Sequence, residues 1–217
     1  NWILSRVPIF QNKGKVAYNP GLKNVSEFIK ELNLPNNQLK FIHIGGTNGK
    51  GSTSSYVSSI LQESGYKVGI FSSPHFYDFR ERIKINNTKI EKSFIINFIK
   101  KNKKLIKRLG LSFFELSFGL CLDYFNKKKI DYAVIEVGLG GRLDATNIIN
   151  PLISVITNIS FDHTDILGNS LKMIAKEKAG IIKKNSIVII GERDVETDEI
   201  FINKARQNSS SIIFVSD

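Results

Sequence analysis

The chain has little cysteine: in 217 residues there is one, Cys121, which cannot close an intramolecular disulfide. It lies in the apolar run Phe118 to Leu122, where a free thiol acts as a small hydrophobe, and this usage fits a reducing compartment. No apolar run approaches the roughly 18–20 residues that cross a bilayer, and no basic segment followed by an apolar stretch opens the chain. These absences argue against a membrane partner and for a cytoplasmic location. Internal repeats, low-complexity tracts and interdomain linkers are also missing, so the expectation is one domain over residues 1–217.

Hydrophobic residues make up 41% and charged residues 24%, ordinary globular usage that excludes a disordered or fibrous chain. Thirty-one Lys and Arg against 20 Asp and Glu leave a net charge of +11, which points to an anionic ligand or to lysines spread over solvated faces. The lysine runs at Lys100 to Lys107 and Lys127 to Lys129 lack the interleaved aromatics that stack bases, which disfavours a nucleic-acid partner. The chain opens at Asn1 in an apolar pattern (Trp2, Ile3, Leu4, Val7, Ile9) and closes just after an apparent strand, Ser211 to Val215. Both ends therefore read as cuts within a longer protein.

Hydrophobic patterning predicts strands at Phe41 to Ile44, Lys67 to Phe71, Tyr132 to Val137, Ile153 to Ile159 and Ile187 to Ile190. Helices are predicted from near Ser52 to Gly65, over Ser93 to Arg108 and Ser112 to Phe125, and near Leu171 to Lys178. Arg80 to Ile85, followed by Asn86 and Asn87, reads as a loop entering a small strand and turn. Alternating strands and helices predict an α/β fold, a mainly parallel sheet flanked by helices, with ligands at the carboxyl edge.

Three clusters fall on that edge. Gly45 to Ser52 (GGTNGKGS) joins a strand to a helix; its glycines let backbone N–H groups turn toward phosphate oxygens, and Lys50 can reach the terminal phosphates. The string resembles a P-loop in which Gly51 separates the lysine from the hydroxyl of Ser52. Glu136 ends a buried strand just before Gly138, where a carboxylate can ligate the Mg²⁺ that bridges phosphates. Phe161 to Asp165 places His163 and two carboxylates after the next strand.

Six strings occur in the order seen in folylpolyglutamate synthases and dihydrofolate synthases of the Mur ligase superfamily: Gly46 to Ser52, Ser72 to His75, Arg80 to Ile83, Glu136 to Asn147, Asp162-His163 and Glu177 to Ile181. The resemblance spans about Tyr18 to Gly191. It implies the central ATPase fold of that superfamily and an ATP-dependent ligase that joins L-glutamate to dihydropteroate or to the glutamate tail of folates through an acyl phosphate. It implies ATP contacts at Thr47, Asn48, Gly49, Lys50, Gly51 and Ser52, two Mg²⁺ ions with ligands at Ser73, Glu136 and His163, and a carbamylated lysine at Lys178. Catalytic roles are thereby implied for Lys50, Glu136, His163 and Lys178. Pterin contacts are implied at Asn19, Pro20 and Gly21, at Ser112, Phe113, Phe114 and Glu115, and at Leu143, Asp144 and Ala145, with Asp144 accepting from the pterin's N–H donors.

The resemblance further implies a C-terminal domain that completes the nucleotide and glutamate sites. The present residues would be the ATPase domain alone, with weak nucleotide binding and negligible turnover, while the whole enzyme would be a monomer. Two other readings stand beside this one. Another Mur-superfamily amino-acid ligase would need a uridine-binding N-terminal domain, for which the residues before Phe41 are too few. A non-enzymatic nucleotide- or nucleic-acid-binding module would bind in a way that collapses with salt and survives Lys50→Ala.

Overall fold

A computed structural model describes residues 21–34 and 39–215. Trp2, Ile3, Leu4, Val7, Ile9, Asn19 and Pro20 lie outside the described residues. The elements run α1 (Lys23–Glu31), β1 (Lys40–Gly45), α2 (Lys50–Glu63), β2 (Val68–Phe71), a short 3-10 turn (Phe79–Arg82), β3 (Ile83–Ile85) and β4 (Thr88–Lys89). They continue with α3 (Lys92–Leu109), α4 (Phe113–Lys128), β5 (Tyr132–Glu136), a second 3-10 turn (Ala145–Ile148), β6 (Ile153–Ile156), α5 (Thr164–Leu167), α6 (Leu171–Ala179), β7 (Ile187–Ile190), α7 (Asp198–Gln207) and β8 (Ser211–Phe214).

The strands form one sheet in the order β4-β3-β2-β5-β1-β6-β7-β8. From β2 to β8 every pairing is parallel, and β3 and β4 add an antiparallel hairpin at one edge. The hairpin turns at Asn86 and Asn87, both with positive φ, which asparagine tolerates better than other side chains. Period-two alternation divides β1 between the two faces. Ile42 and Ile44 join Val68, Ile70 and Val134 against Val57 and Leu61 of α2. Phe41 faces the other way, into a cluster built from α1, α3 and α4. A further cluster packs Ala175, Ala179, Phe201 and Ala205 of α6 and α7 on Val188, Ile190 and Phe214.

This is the α/β architecture that the alternation predicts, with shifted boundaries. Helix α2 begins at Lys50 rather than Ser52, because Gly49 takes the left-handed conformation at the N-cap and the helix can start directly after it. β6 ends at Ile156 instead of Ile159: beyond it the backbone turns to meet the loop after β1, with Thr47 N donating to Asn158 O at 3.0 Å. α4 extends to Lys128. Helices α1 and α7 were not anticipated; each buries a short set, Val25, Phe28 and Ile29 in one and Phe201 and Ala205 in the other. Cys121 is fully buried in α4, and burial pushes its thiol pKa up, as expected of a packing residue.

β1 is the point where the chain order reverses: β2 and β5 lie to one side of it and β6 to the other. The loops leaving β1, β2, β5 and β6 therefore meet at the carboxyl edge, where a crevice forms in sheets of this kind.

Candidate functional site

The loop after β1 is held by the loop after β6. Thr47 Oγ1 donates to Ser160 O (3.2 Å) and accepts from Ser160 N (3.0 Å), Asn48 N donates to Asn158 Oδ1 (2.9 Å), and Thr157 Oγ1 donates to Asn48 O (2.6 Å). Thr157 lies so close to Gly46 that a Cβ there would stand 1.8 Å from its Oγ1. Lys50 folds back over its own loop, with Nζ donating to Thr47 O (2.8 Å) and Gly46 O (3.1 Å). Among the described residues no side chain caps the start of α2, so its first N–H groups and the positive end of its dipole face the loop. Thr47, Asn48, Gly49, Lys50, Gly51 and Ser52 thus surround one helix N-terminus, and Ser52 is exposed there.

Glu136, at the end of β5, is 4% exposed and accepts a hydrogen bond from Ser73 N at 3.0 Å. It approaches the start of α2, since a Cβ on Gly51 would stand 3.6 Å from Glu136 Oε1. Burial raises its pKa, while the Ser73 N–H and the charges of Lys50 and Arg82 oppose that rise. Arg82 is itself buried; its Nε donates to His75 Nδ1 (2.9 Å) and its guanidinium lies 5.3 Å from the centroid of the Phe113 ring. Burial lowers its pKa to about 10, against the attraction of Glu136. Sequence reasoning gave Arg82 no role. Two arginines flank Glu81, and only the fold shows that Arg80 pairs with Asp78 near the surface while Arg82 turns inward.

Lys178, in α6, is 3% exposed and donates from Nζ to Gly46 O at 2.8 Å. Burial and the nearby Lys50 charge lower its pKa from 10.5 to about 8, with Asp162 and Asp144 pulling the other way. A shift of that size makes the buried charge cost about 3 kcal/mol near neutral pH. The folded pKa lies below the unfolded one, so the native state binds fewer protons between about pH 8 and 10.5 and gains stability as pH rises through that window. Lys178→Met is expected to gain about 1–2 kcal/mol at pH 7, less than the full charge penalty because the bond to Gly46 O is lost. It should also flatten the pH dependence and weaken nucleotide binding. Urea titrations at pH 7 and pH 10 check this, and a wild type with equal stability at both would contradict it.

His163 has φ of 46° and sits at the start of α5, with its side chain 43% exposed and Nε2 3.5 Å from Asp162 Oδ2. Its loop reaches the site through Asp162, whose charge acts on Lys178. Among the described residues no three His, Cys, Asp or Glu side chains come together to hold a metal. Of the implied metal set, the structure joins Ser73 to Glu136 and leaves His163 on the neighbouring exposed loop.

The implied substrate residues divide by role. Ser112 and Glu115 form a capping box on α4: Ser112 N donates to Glu115 Oε2 (2.7 Å) and Glu115 N to Ser112 Oγ (3.2 Å). Phe113 is buried edge-on to Phe79, and Phe114 lies under Gly138, where an added Cβ would meet its ring at 2.5 Å. Asp144 is buried and receives Leu139 N (2.8 Å), Thr146 N (3.0 Å) and Thr146 Oγ1 (2.5 Å), so most of its acceptor capacity is used inside its own loop. Leu143 and Ala145 flank it, half-buried and buried. Gly21 stands just before α1 with φ of 136°.

Residues 44–217 match the model of the Mur ligase middle domain. The chain belongs to the Mur ligase family. This Mur ligase domain is 35% identical over 217 residues to the dihydrofolate synthase/folylpolyglutamate synthase of Bacillus subtilis, covering 97% of this chain and 49% of that protein. The solved structure of E. coli FolC in complex with DHPP and ADP superposes with a TM-score of 0.88 at 32% identity, over 98% of this chain and 50% of that one. A bifunctional folylpolyglutamate synthase/dihydrofolate synthase with Mn, AMPPNP and L-glutamate bound superposes at 0.83 and 32% identity, over 91% of this chain and 48% of that one. The Mur ligase domain thus spans about half the length of these relatives. Among its described residues no helix is long and apolar enough to cross a membrane.

Proposed function

We propose that this domain supplies the ATP and pteridine side of a carboxylate–amine ligase that joins L-glutamate to dihydropteroate or to the glutamate tail of folates. One observation carries the reading: Lys50 and Lys178 converge on Gly46 O while Glu136 takes the Ser73 N–H beside the start of α2. The Lys50 cation, a helix N-terminus and a buried carboxylate on one rim suit a magnesium triphosphate, and the Lys178 amine stands beside them.

The residues present fit that group. Gly51 leaves beside Glu136 a space that a Cβ would enter at 3.6 Å from Oε1, and Glu136 and Ser73 offer hard oxygen donors of the kind Mg²⁺ takes. Ser73, Glu136, His163 and a carbamylated Lys178 would hold two such ions, which when bound neutralise charge on the transferring phosphoryl group. Burial favours the neutral amine of Lys178, the form that can add CO₂. Lys50 and the first amides of α2 would steady the phosphoryl oxygens while a carboxylate oxygen of the acid attacks the γ-phosphorus and ADP leaves. The amino group of L-glutamate then attacks the acyl carbon, phosphate departs and an amide forms. Leu143 and Ala145, with the Phe114–Gly138 contact behind them, would wall the pteridine side.

Calorimetry on this chain tests the reading. MgATP should bind, dihydropteroate or tetrahydrofolate should bind after it, and Glu136→Gln should remove about tenfold of the affinity that magnesium adds. Uptake of a uridine-linked cell-wall precursor in place of either pteridine overturns the substrate assignment.

A further inference from the structure

β1 carries one polar side chain in an apolar core. His43 has no exposed surface, and it stands between Ile135 of β5 and Ser154 of β6 in the register, two residues before the glycine loop begins. Packing alone would be served by another isoleucine. Its Nε2 is instead 2.9 Å from Thr146 Oγ1, and Thr146 Oγ1 is 2.5 Å from Asp144 Oδ1.

A proton count fixes the direction of this line. Asp144 Oδ1 already receives Thr146 N and its Oδ2 receives Leu139 N, so the carboxylate acts as acceptor. Thr146 has one hydroxyl hydrogen, and giving it to Asp144 leaves Oγ1 to accept from His43. The imidazole proton therefore sits on Nε2, and Nδ1 is left as a buried acceptor that no group among the described residues meets. A second proton on the ring would be a buried cation near Lys183, and burial with that charge pushes the His43 pKa down to about 3.

We propose that His43 is a positioning residue: through Thr146 it fixes Asp144, and with it the Gly138–Asp144 loop, against the strand that carries the phosphate loop. The loop's far end, Leu143 to Ala145, is the wall assigned to the pteridine, so the effect on substrate rests on the proposed function. The line sets the distance between two binding loops that leave neighbouring strands, β1 and β5.

Three variants of this chain test the relay: His43→Leu, which fills the space without a donor, His43→Gln, whose amide nitrogen returns one near Nε2, and Thr146→Val, which removes only the hydroxyl. The leucine and valine variants should exchange the Leu139 amide hydrogen about tenfold faster and bind dihydropteroate about tenfold more weakly, with MgATP affinity held within about twofold. The glutamine variant should recover most of both losses, and the wild-type imidazole should show a protonated Nε2 and a bare Nδ1 by two-bond ¹H–¹⁵N spectroscopy. A glutamine variant as impaired as the leucine one, unchanged Leu139 exchange, or a proton on Nδ1 overturns the relay. If His43→Leu fails to fold, Thr146→Val carries the same comparison. A wild type that binds MgATP but no dihydropteroate overturns the substrate reading instead, and Leu139 exchange then decides the relay alone.

Discussion

Gly46→Ala is expected to remove nucleotide binding and to cost about 4 kcal/mol of stability, from a left-handed φ that favours glycine and an overpacked contact. The φ there is +138°, and a Cβ would stand 1.8 Å from Thr157 Oγ1 and 3.0 Å from Thr157 N. Thr157 cannot step aside cheaply, since its hydroxyl donates to Asn48 O and its N–H to Gly45 O. Turning the Gly46 peptide instead would move the carbonyl that accepts from both Lys50 and Lys178. Either adjustment takes apart the arrangement that would face the phosphates. Gly51→Ala is the internal control for stability alone, because a Cβ there meets, among the described residues, only Glu136 at 3.6 Å or more, an ordinary contact. Thr157→Ala added to Gly46→Ala should restore part of the stability, by removing the oxygen contact but not the backbone strain. Urea titration and calorimetry with MgATP read both effects. A Gly46→Ala protein within about 1 kcal/mol of wild type that still binds MgATP would show the loop to be more pliable than its bonds imply.

The glycine loop was legible because its chemistry is local: the residues that turn the chain and those that would face the phosphates under the proposed function lie within Gly45 to Ser52. The sheet was legible for a similar reason. Its strands are short apolar runs, and connections between parallel strands are confined to one hand. What escaped has two sources, a short string with two meanings and partners far along the chain. The string Ser112 to Glu115 carried a substrate role by resemblance, yet S-x-x-E before an apolar run is also a capping box, and the bonds are those of a cap. The end of β6 moved because Thr157 and Asn158 bond to the loop after β1, more than a hundred residues earlier. His43 read as part of an apolar strand, and its partner Thr146 lies 103 residues away. The pull of Glu136 and Arg82 on one another was equally hidden, since spacing shows neither which arginine is buried nor that burial lowers one pKa and raises the other.

Lys50→Ala is expected to weaken MgATP binding by about 100-fold, the scale of losing a charge-assisted contact to phosphate in a partly dry site. Folding should change far less. Lys50 is only half-buried, and the two carbonyls that its Nζ bridges, Gly46 O and Thr47 O, lie at a rim where water can replace one donor and Lys178 still supplies another. The loss of affinity has a second source. Burial raises the Glu136 pKa and the Lys50 charge opposes that rise, so removing the lysine moves the carboxyl further toward its neutral form and away from a metal-binding one. The defect should therefore deepen as pH falls toward the range in which carboxyls take up a proton, whereas a role confined to phosphate contact would give a constant ratio to wild type. Lys50→Arg keeps the charge beside Glu136 but replaces a compact ammonium with a broad planar fork, which Gly46 O and Thr47 O cannot hold in the same way. It should leave the pH dependence near that of wild type while recovering only part of the affinity. Calorimetric titrations of the three proteins with MgATP over a pH series that descends from neutral into the carboxylate range separate the two contributions. Parallel curves for wild type and Lys50→Ala would place Glu136 beyond the influence of the loop lysine.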